Sequence, residues 1–281
     1  MARWDTIAIV GVGLIGGSIG LAVQRRGIAR HVVGIGRRMA SLQKARQHGT
    51  VSTITTDLAA GVRAAELIIV CTPVADIVPR IMELAPHCAS GALITDVGST
   101  KEQIVSELDD ALNEDVVFVG SHPLAGSDRS GAENARADLF DQRVTVVTPT
   151  PVTPEKTADR IAEFWGSLGA KVLRMPPAVH DNIVAMTSHA THIVASALAA
   201  ATDREDLVLA ATGWADTTRI AAADPDLWLQ ILMSNRAAVI RALDKFEARL
   251  ASFRNALDEA DEAGILKLLQ MGKQTRDALG S

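Results

Sequence analysis

A glycine-rich segment near the start of the sequence has the residue spacing of a dinucleotide site. Residues 11–16 read GVGLIG, which places Gly11, Gly13 and Gly16 in the pattern G-x-G-x-x-G. The apolar run Thr6–Val10 predicts a strand before this pattern, and the periodicity of Ser18–Arg26 predicts a helix after it. In that context Gly11 permits a tight turn, Gly13 lets the backbone approach a pyrophosphate, and Gly16 allows close helix–strand packing.

The N-terminus of the helix that this motif opens would complete the pyrophosphate site. The amides of Leu14 and Ile15 would lie there, where unpaired N–H groups and the positive end of the helix dipole favour anions. A glycine-rich turn in some other α/β protein is the alternative interpretation.

The residues after the second predicted strand indicate which dinucleotide would bind. An NAD site usually carries Asp or Glu about 20 residues after the glycines, where the carboxylate accepts from the ribose 2′-hydroxyl. Here Gly36 occupies that position, and Arg37 and Arg38 follow it. Two guanidinium groups can hold a 2′-phosphate in fork geometry, so the sequence favours NADP over NAD. The alternative is that both arginines are solvated loop side chains.

Three later polar segments follow predicted strands and could carry the rest of the chemistry. Doubly wound sheets bind ligands at the carboxyl ends of their strands. His122, in the segment SHPLAGSD of residues 121–128, is a candidate general acid–base because an unperturbed imidazole has a pKa near 6.5. The other two segments, CTPV and DVGSTK, supply candidate cofactor contacts at Cys71, Thr72, Pro73 and Asp96.

These segments must be positioned by an alternation of strands and helices over the first two-thirds of the chain. Apolar runs predict strands at Thr6–Val10, His31–Ile35, Ala65–Cys71, Gly91–Val97, Val116–Gly120, Val144–Thr148 and Lys171–Met175. Amphipathic stretches predict helices between them at Ser18–Arg26, Met39–His48, Val74–Leu84, Lys101–Leu112 and Thr153–Leu168. Strands this apolar are buried on both faces, which predicts a parallel doubly wound sheet.

The pattern changes after Pro176-Pro177, where the sequence becomes Ala-rich and helical. We expect helices at about Ala178–Thr202, Arg204–Ala223, Asp226–Phe253 and Ala256–Ala278, the third of them broken. This places a domain boundary near Met175–Pro177, with a dinucleotide-binding domain at residues 1–175 and a helical domain at residues 176–281. The apolar content of the helical part favours burial in a dimer, with a monomeric bundle as the alternative.

Composition limits the remaining function classes. Lys and Arg number 28 against 33 Asp and Glu, so nothing indicates a nucleic-acid surface. The two cysteines are too few for a disulfide framework or a structural zinc site. No signal-peptide pattern or uninterrupted apolar run of about 18 residues is present. We therefore expect a cytoplasmic enzyme with a small-molecule substrate and no membrane partner.

Taken together, the motifs resemble those of the prephenate/arogenate dehydrogenases of tyrosine biosynthesis. The matching pieces run in family order from residue 7 to about 230: GVGLIGGSIG at 11–20, CTPV at 71–74, DVGSTK at 96–101, SHPLAGSDRSG at 121–131, HDNIVAMTSHATH at 180–192, Gly213, and TRIAAADPDLW at 218–228. The resemblance implies a Rossmann-type doubly wound domain followed by an all-α helical dimerisation domain.

The resemblance also implies roles for individual residues. His122 matches the catalytic histidine, which engages the ring hydroxyl as hydride leaves the same carbon, and Ser99 matches a serine that bonds to this histidine and the hydroxyl. Arg219 matches the arginine that holds a substrate carboxylate, and His192 matches a second substrate-contacting histidine. The remaining implied contacts are His180 with the cofactor and, on the substrate side, His189, Gly213 and Trp228.

Asp128 could meet the ammonium of arogenate, or it could cap the next helix. Simpler interpretations stay open for the other residues. Arg219 could form a salt bridge, Trp228 could anchor a core, and His189 and His192 could pack between helices. Their H-x-x-H spacing is half a metal site, but no third ligand follows by spacing, so no metal is expected.

The implied reaction is NAD(P)-dependent oxidative decarboxylation of prephenate or arogenate. A β-hydroxyacid dehydrogenase or imine reductase is one alternative; such enzymes rely on a Lys early in the helical domain, where this chain has histidines. A catalytically idle NADP-binding protein is another alternative, but it would not need His122, Ser99 and Arg219 together.

Overall fold

The computed structural model describes residues 4–112, 115–126, 129 and 131–279, and its first part is one eight-stranded sheet. The strands β1 to β8 are Trp4–Val10, Ala29–Ile35, Thr53–Thr55, Leu67–Val70, Ala92–Asp96, Val116–Pro123, Val144–Thr148 and Lys171–Arg174. Their order is β3-β2-β1-β4-β5-β6-β7-β8, in which the first six are parallel. This order reverses between β1 and β4, as in dinucleotide-binding sheets, and confirms the doubly wound prediction.

The prediction of an entirely parallel sheet was wrong at one edge. Strand β7 runs antiparallel to β6, pairing Gly120 with Thr148 and His122 with Val146, and β8 runs parallel to β7. A parallel return needs a crossover of a dozen or more residues, usually a helix. Among the described residues of this connection, the helical part is the short 3₁₀ turn Ala132–Asn134. The apolar strand pattern carried no information on this direction.

Among the residues that the structure describes, six helices cover the two faces of the sheet, which explains why its strands are apolar on both sides. The helices α1 to α6 are Leu14–Arg25, Met39–Gln47, Leu58–Val62, Val74–Leu84, Glu102–Ala111 and Glu155–Ser167. On β1, Ile7 and Ile9 belong to the core on one face, whereas Ala8 and Val10 belong to the core on the other. The short elements β3 and α3 were missed by the sequence prediction because neither is long enough to show a periodicity.

The part of the chain after β8 is helical. Helices α7 to α12 are Pro177–Val184, Thr191–Ala201, Thr212–Thr218, Pro225–Ser234, Arg236–Asp258 and Glu262–Asp277. A π-helical stretch, Ala185–Ala190, joins α7 to α8, and 3₁₀ turns occupy Arg204–Leu209 and Arg219–Ala222.

Three predicted helices in this part had the wrong extent. The range Arg204–Ala223 was expected to be one helix, but it holds only the α-helix Thr212–Thr218 between two 3₁₀ turns. The break in the third predicted helix lies at Asn235, and α11 continues beyond Phe253 to Asp258. The last helix begins after Asp261, whose side chain accepts from the amide of Gly264. Ala-rich sequence gives few signals for a helix end, so caps of this kind decide the boundary.

The helical part leaves much apolar surface uncovered in the single chain. Its internal core is small and consists of Ala185, Ala190, Ala238, Val239 and Ala242. Several large apolar side chains are exposed, among them Leu229, Met233, Leu250, Leu257, Leu266 and Leu269. The helical segment Pro177–Ala201 also has the length and composition that could cross a membrane, a property that core helices of soluble proteins share.

Close packing of α1 against the loop after α2 gives a prediction about stability. A Cβ on Gly20 would lie 1.9 Å from the Thr50 carbonyl oxygen, so we expect Gly20→Ala to lower the free energy of unfolding by about 2 kcal/mol. The matched control is Gly166→Ala in α6, where a Cβ meets nothing within 4 Å. Because Ala is the better helix former, this control should raise the free energy by ~0.5–1 kcal/mol. Urea unfolding measures both, and equal effects would contradict the packing argument.

Candidate active site

The turn between β1 and α1 has the geometry that the glycine motif predicted. Gly11 has a φ of +94°, and a Cβ there would lie 2.7 Å from the Cys71 carbonyl oxygen. A Cβ on Gly16 would lie 2.3 Å from the Gly11 carbonyl oxygen, so this position requires glycine. A Cβ on Gly13 would meet nothing within 4 Å. The backbone at Gly13 is therefore open to a ligand, while helix α1 begins with Leu14 and Ile15.

A cleft of about 340 Å³ beside this turn collects most of the predicted cofactor residues. It is lined by Gly11, Gly13, Arg37, Arg38, Cys71, Thr72 and Pro73. The hydroxyl of Thr72 is buried and has no hydrogen-bond partner among the residues that the structure describes. A buried hydroxyl without a partner is costly, and a bound ligand can satisfy it. The cleft thus fits a dinucleotide: an open glycine backbone, two guanidinium groups and an available hydroxyl.

Sequence reasoning missed four polar residues of this cleft: Ser41 on α2, Thr56, and Asp76 and Arg80 on α4. Arg80 adds a third guanidinium group and forms an ion pair with Glu83. It shares the lining with Asp76, four residues earlier on the same helix. Because the helix follows directly after Pro73, this spacing places both side chains on the face nearest to the cleft. The four-residue spacing from Asp76 to Arg80, on the helix that follows Pro73, was the sequence signal that could have identified Arg80 as a cleft residue.

Asp96, predicted to contact the cofactor, is instead fully buried at the end of β5. Its carboxylate forms an ion pair with Lys101, which is also fully buried. The same carboxylate accepts from the amides of Gly98 at 2.8 Å and Ser121 at 3.0 Å. Burial lowers the pKa of Lys101, and the charge of Asp96 opposes that shift. Asp96 therefore binds together the loop after β5 and the end of β6, and a cofactor contact remains only a prediction.

The strand β6 carries the candidate catalytic residue at its carboxyl end. The sequence prediction placed His122 in a loop directly after this strand, but β6 continues to Pro123 and His122 lies within it. The backbone of β6 pairs with β7 at this position, where His122 lies opposite Val146. Ser99 lies half-buried in the loop between β5 and α5. Both residues are thus at the edge where the parallel strands end.

His122 forms a hydrogen bond with a histidine from the helical part of the chain. Its Nδ1 lies 2.9 Å from Nε2 of His180, and the two rings are 5.1 Å apart at 77°. The other ring nitrogen of His180, Nδ1, lies 2.7 Å from Oδ1 of Asp181. His180 is 1% exposed, and both its ring nitrogens are occupied by these contacts. The structure therefore brings His122 and His180 together and adds Asp181, which sequence reasoning missed.

The surroundings of His122 disfavour its cationic form. Burial lowers the pKa of His122 well below its ordinary value of 6.5, and His180, Lys101 and His189 lower it further. The imidazole is consequently neutral at physiological pH. A neutral imidazole can accept a proton, as general-base catalysis requires.

The histidines of the π-helical stretch and of α8 gather around Trp228. The ring of His192 stacks on the Trp228 indole at 3.6 Å and 8°, and the ring of His189 meets its edge at 6.2 Å. The Asn235 amide lies 3.2 Å from Nδ1 of His189 and donates to the Asp181 carbonyl oxygen at 2.8 Å. Burial lowers the pKa of His192, whose Nδ1 has no hydrogen-bond partner among the described residues. One polar group in this cluster is thus available for a ligand.

The remaining predicted substrate residues lie farther out. Gly213 in α9 and Arg219 at the next 3₁₀ turn are exposed, and both elements pack against α8, the helix of His192. Asp128 lies outside the described residues. Across those described residues, no cluster of three or more His, Cys, Asp or Glu side chains could hold a metal ion.

The sheet order, the glycine turn and a neutral histidine at the same sheet edge define a Rossmann-type dehydrogenase with a helical second part. Family comparison agrees with this class. The model described as "Prephenate dehydrogenase, nucleotide-binding domain" matches residues 19–174, and the one described as "Prephenate dehydrogenase, dimerization domain" matches residues 176–271. The chain belongs to the prephenate dehydrogenase family, and its first part is a domain for NAD(P).

Curated relatives and solved structures resemble the chain over nearly its whole length. It is 31% identical to the prephenate dehydrogenase of Bacillus subtilis over 98% of this chain and 76% of that protein. It is 30% identical to the cyclohexadienyl dehydrogenase of Zymomonas mobilis over 99% and 97%. Among solved structures, prephenate dehydrogenase from A. aeolicus, in complex with hydroxyphenyl propionate and NAD+, gives a TM-score of 0.90 at 29% identity, covering 98% of both chains. Arogenate dehydrogenase from Synechocystis gives 0.86 at 29%, covering 98% and 99%.

The buried His189 predicts how stability depends on pH. Burial lowers the pKa of His189 from 6.5 to about 4, so between these values the unfolded chain binds a proton that the folded chain does not. The free energy of unfolding that depends on neutral His189 is therefore fully present above pH 6.5 and is lost as the pH falls toward 4. We expect the wild type to lose about 2 kcal/mol more free energy of unfolding between pH 7 and pH 5 than His189→Asn.

In this test Asn is an uncharged replacement that can still meet the Asn235 amide. The control is His48→Asn, which changes an exposed histidine outside the site and should leave the wild-type pH dependence in place. Urea unfolding at the two pH values gives the free energies. A wild type and a His189→Asn variant with the same pH dependence would contradict the assignment.

Proposed function

We propose that the chain catalyses the NAD(P)-dependent oxidative decarboxylation of prephenate, arogenate or both, to 4-hydroxyphenylpyruvate or tyrosine. The observation that carries this proposal is the place of His122, at the sheet edge shared with the dinucleotide cleft and hydrogen-bonded through Nδ1 to His180, and the pKa lowered by burial agrees with a base there. The names of the similar proteins, prephenate, cyclohexadienyl and arogenate dehydrogenase, support the same reaction class.

In the proposed reaction the protein positions the substrate and handles one proton. His122 accepts the proton of the ring hydroxyl as the hydroxyl carbon loses hydride, and that carbon becomes a carbonyl. A bound nicotinamide ring supplies the hydride acceptor. The ring carboxylate then leaves as CO₂, and the electron pair of the broken C–C bond completes the aromatic ring, whose carbonyl oxygen gains a proton to become a phenol. Aromatisation makes the sequence effectively irreversible, and general-base assistance contributes about 10²–10⁴-fold in rate.

The substrate side of the site follows from the motif resemblance. We propose that Ser99 bonds to the ring hydroxyl and that Arg219 holds a carboxylate, because a guanidinium group is a bidentate partner for carboxylates. The cluster around Trp228 supports a substrate role for His192, whose Nδ1 lacks a partner among the described residues. His189, Gly213 and Asp128 are proposed to lie near the substrate side chain.

We propose NADP as the preferred cofactor and NAD as the alternative. Arg37, Arg38 and Arg80 line one cleft with the glycine turn, and three guanidinium groups favour the extra phosphate of NADP. The A. aeolicus relative is described with NAD+, so cofactor choice within the family must be tested for this chain.

We also propose a division near residue 175, a homodimer and a cytoplasmic location. Strand β8 ends at Arg174 and helix α7 begins at Pro177, which supports a boundary between them. A second copy would cover the exposed leucines of the helical part, and the matched dimerization-domain description supports this arrangement. Nothing in the charge balance favours a nucleic acid.

The alternatives of the β-hydroxyacid dehydrogenase kind share the fold at much lower similarity. The structure of 3-hydroxyisobutyrate dehydrogenase from Mycobacterium tuberculosis gives a TM-score of 0.56 at 16% identity, which is a likeness of fold alone. In this chain the early helical segment places His180 against His122, where a catalytic Lys would be needed for that alternative.

The deciding experiment is a two-by-two assay that offers prephenate or arogenate as substrate with NAD+ or NADP+ as cofactor. The measured products are reduced cofactor and CO₂. We expect substrate-dependent formation of both, and His122→Asn should lower kcat by about 10²–10⁴-fold because it removes the base. Cofactor affinity, measured by fluorescence titration, should stay within about threefold. His48→Asn is the matched control and should retain wild-type turnover. No turnover of either substrate, or normal turnover by His122→Asn, would refute the proposal.

Cofactor choice gives a separate prediction for the three arginines of the cleft. The double substitution Arg37→Ala, Arg38→Ala should raise KM for NADP+ at least about tenfold, because charge-assisted bonds to a phosphate contribute ~1.5–3 kcal/mol each. KM for NAD+ should change by less than about threefold. Arg80→Ala should have a smaller effect, since Arg80 already pairs with Glu83.

The matched control is Arg46→Ala on α2, an exposed arginine outside the cleft lining. It should leave both KM values unchanged. An equal loss for NADP+ and NAD+ in the double variant would show that the arginines do not read the 2′-phosphate.

A further inference from the structure

Three side chains form a continuous hydrogen-bonded series that leads away from the candidate base. Nδ1 of His122 meets Nε2 of His180 at 2.9 Å, and Nδ1 of His180 meets Oδ1 of Asp181 at 2.7 Å. His180 and Asp181 are each 1% exposed, whereas His122 is half-buried. The series therefore runs from the sheet edge into the junction between the sheet and the helical part.

Asp181 is fixed as a carboxylate by the start of helix α5. Its Oδ1 accepts from the Lys101 amide at 2.8 Å, and its Oδ2 accepts from the Glu102 amide at 2.9 Å. These N–H groups belong to the first turn, where a negative charge is favoured by the helix dipole. The carbonyl oxygen of Asp181 accepts from Asn235 at 2.8 Å, so the backbone of this residue is held as well.

The fixed carboxylate determines which proton each ring nitrogen carries. A carboxylate can only accept, so Nδ1 of His180 must carry the proton of that hydrogen bond. When His180 is in its neutral form, its lone pair lies on Nε2, and His122 donates to it from Nδ1. In neutral His122 this leaves Nε2 without a proton. That is the form in which the ring can accept a proton from a substrate hydroxyl.

We propose that His180 and Asp181 are positioning residues that hold His122 in its Nδ1-protonated tautomer with a basic Nε2. The activity part of this inference rests on the function proposed above. The step is a single proton transfer: the hydroxyl proton moves to Nε2 of His122, and the ring becomes an imidazolium. Its Nδ1–H then makes a charge-assisted bond to His180, which is about twice as strong as the neutral one and stabilises the cation as it forms.

The other charged groups near His122 do not supply this function. Lys101 is a cation paired with Asp96, and it disfavours the His122 cation, as do His189 and any positive charge on His180; the role proposed for His180 is that of a neutral acceptor. Both ring nitrogens of His180 are occupied within the protein, which leaves no polar ring atom for the cofactor contact that the motif resemblance implied. Asp181 accepts from the far ring nitrogen of His180 and forms the acceptor end of the series.

Two replacements of His180, by Gln and by Asn, test the proposal. Both supply a side-chain amide, and they differ only in the length of the side chain that carries it. In His180→Gln the amide oxygen reaches the position of Nε2 and can accept from His122; in His180→Asn the amide reaches only the position of Nδ1. We expect kcat to fall about 100-fold or more in the Asn variant and to return to within about tenfold of wild type in the Gln variant. A packing role alone would not separate the two, so equal kcat values would overturn the proposal.

A second measurement needs neither substrate nor cofactor. Nitrogen-15 NMR of the imidazole rings should show His122 protonated on Nδ1 in the free wild-type chain and in His180→Gln, but in a tautomer mixture in His180→Asn. His122 protonated on Nε2 in the wild type would overturn the proposal. This readout also separates the two hypotheses, because a wild type that turns over neither substrate refutes the proposed function while the tautomer is still judged by NMR.

Cofactor affinity separates the positioning role from a direct contact. Fluorescence titration with NADP+ should give a Kd for His180→Gln within about twofold of the wild-type value. A Kd weakened tenfold or more would assign His180 to the cofactor and overturn the proposal. His48→Gln, at an exposed position outside the site, is the matched control for all three measurements and should behave as wild type.

Discussion

The carboxylate of Asp181 is the contact on which the arrangement of the site depends. It accepts hydrogen bonds from two backbone amides at the start of α5 and from the ring of His180. One buried charge therefore joins the sheet-bearing part of the chain to the helical part. Removing one partner of such a buried group leaves an uncompensated charge, which is among the most costly defects in a protein. His122 therefore has a defined neighbour only because the two parts of the chain are fixed against each other here.

A second buried charge, the carboxylate of Asp96, holds the same sheet edge together. Asp96 pairs with Lys101 and accepts the amides of Gly98 and Ser121, which connects the ends of β5 and β6 with the start of α5. Buried ion pairs add little net stability, but their directional bonds favour a single arrangement. The two aspartates thus hold α5 at consecutive points, and the rigidity of the edge allows a histidine on β6 to meet one on α7.

Several features of the fold could be predicted from the sequence because they are local. Apolar runs and helical periodicity identified most of the elements, and α4 and β7 begin and end where predicted. The direction of β7 could not be predicted, since the strand pattern is the same for either direction and only the connection decides. Likewise, the π-helical stretch Ala185–Ala190 reads as ordinary helix in the sequence. It alters the angular spacing of His189 and His192 around Trp228.

The sequence by itself determined the glycine turn, the arginines after β2, the strand that leads to His122 and the histidine-rich start of the helical part. Each depends on residues a few positions apart, where backbone geometry and residue type are sufficient. Tertiary structure alone decided that His180 meets His122 across 58 positions, that Asp96 turns inward, and that Arg80 joins Arg37 and Arg38. Side-chain pairing between distant segments follows from how helices pack on the sheet, and no local pattern encodes that geometry.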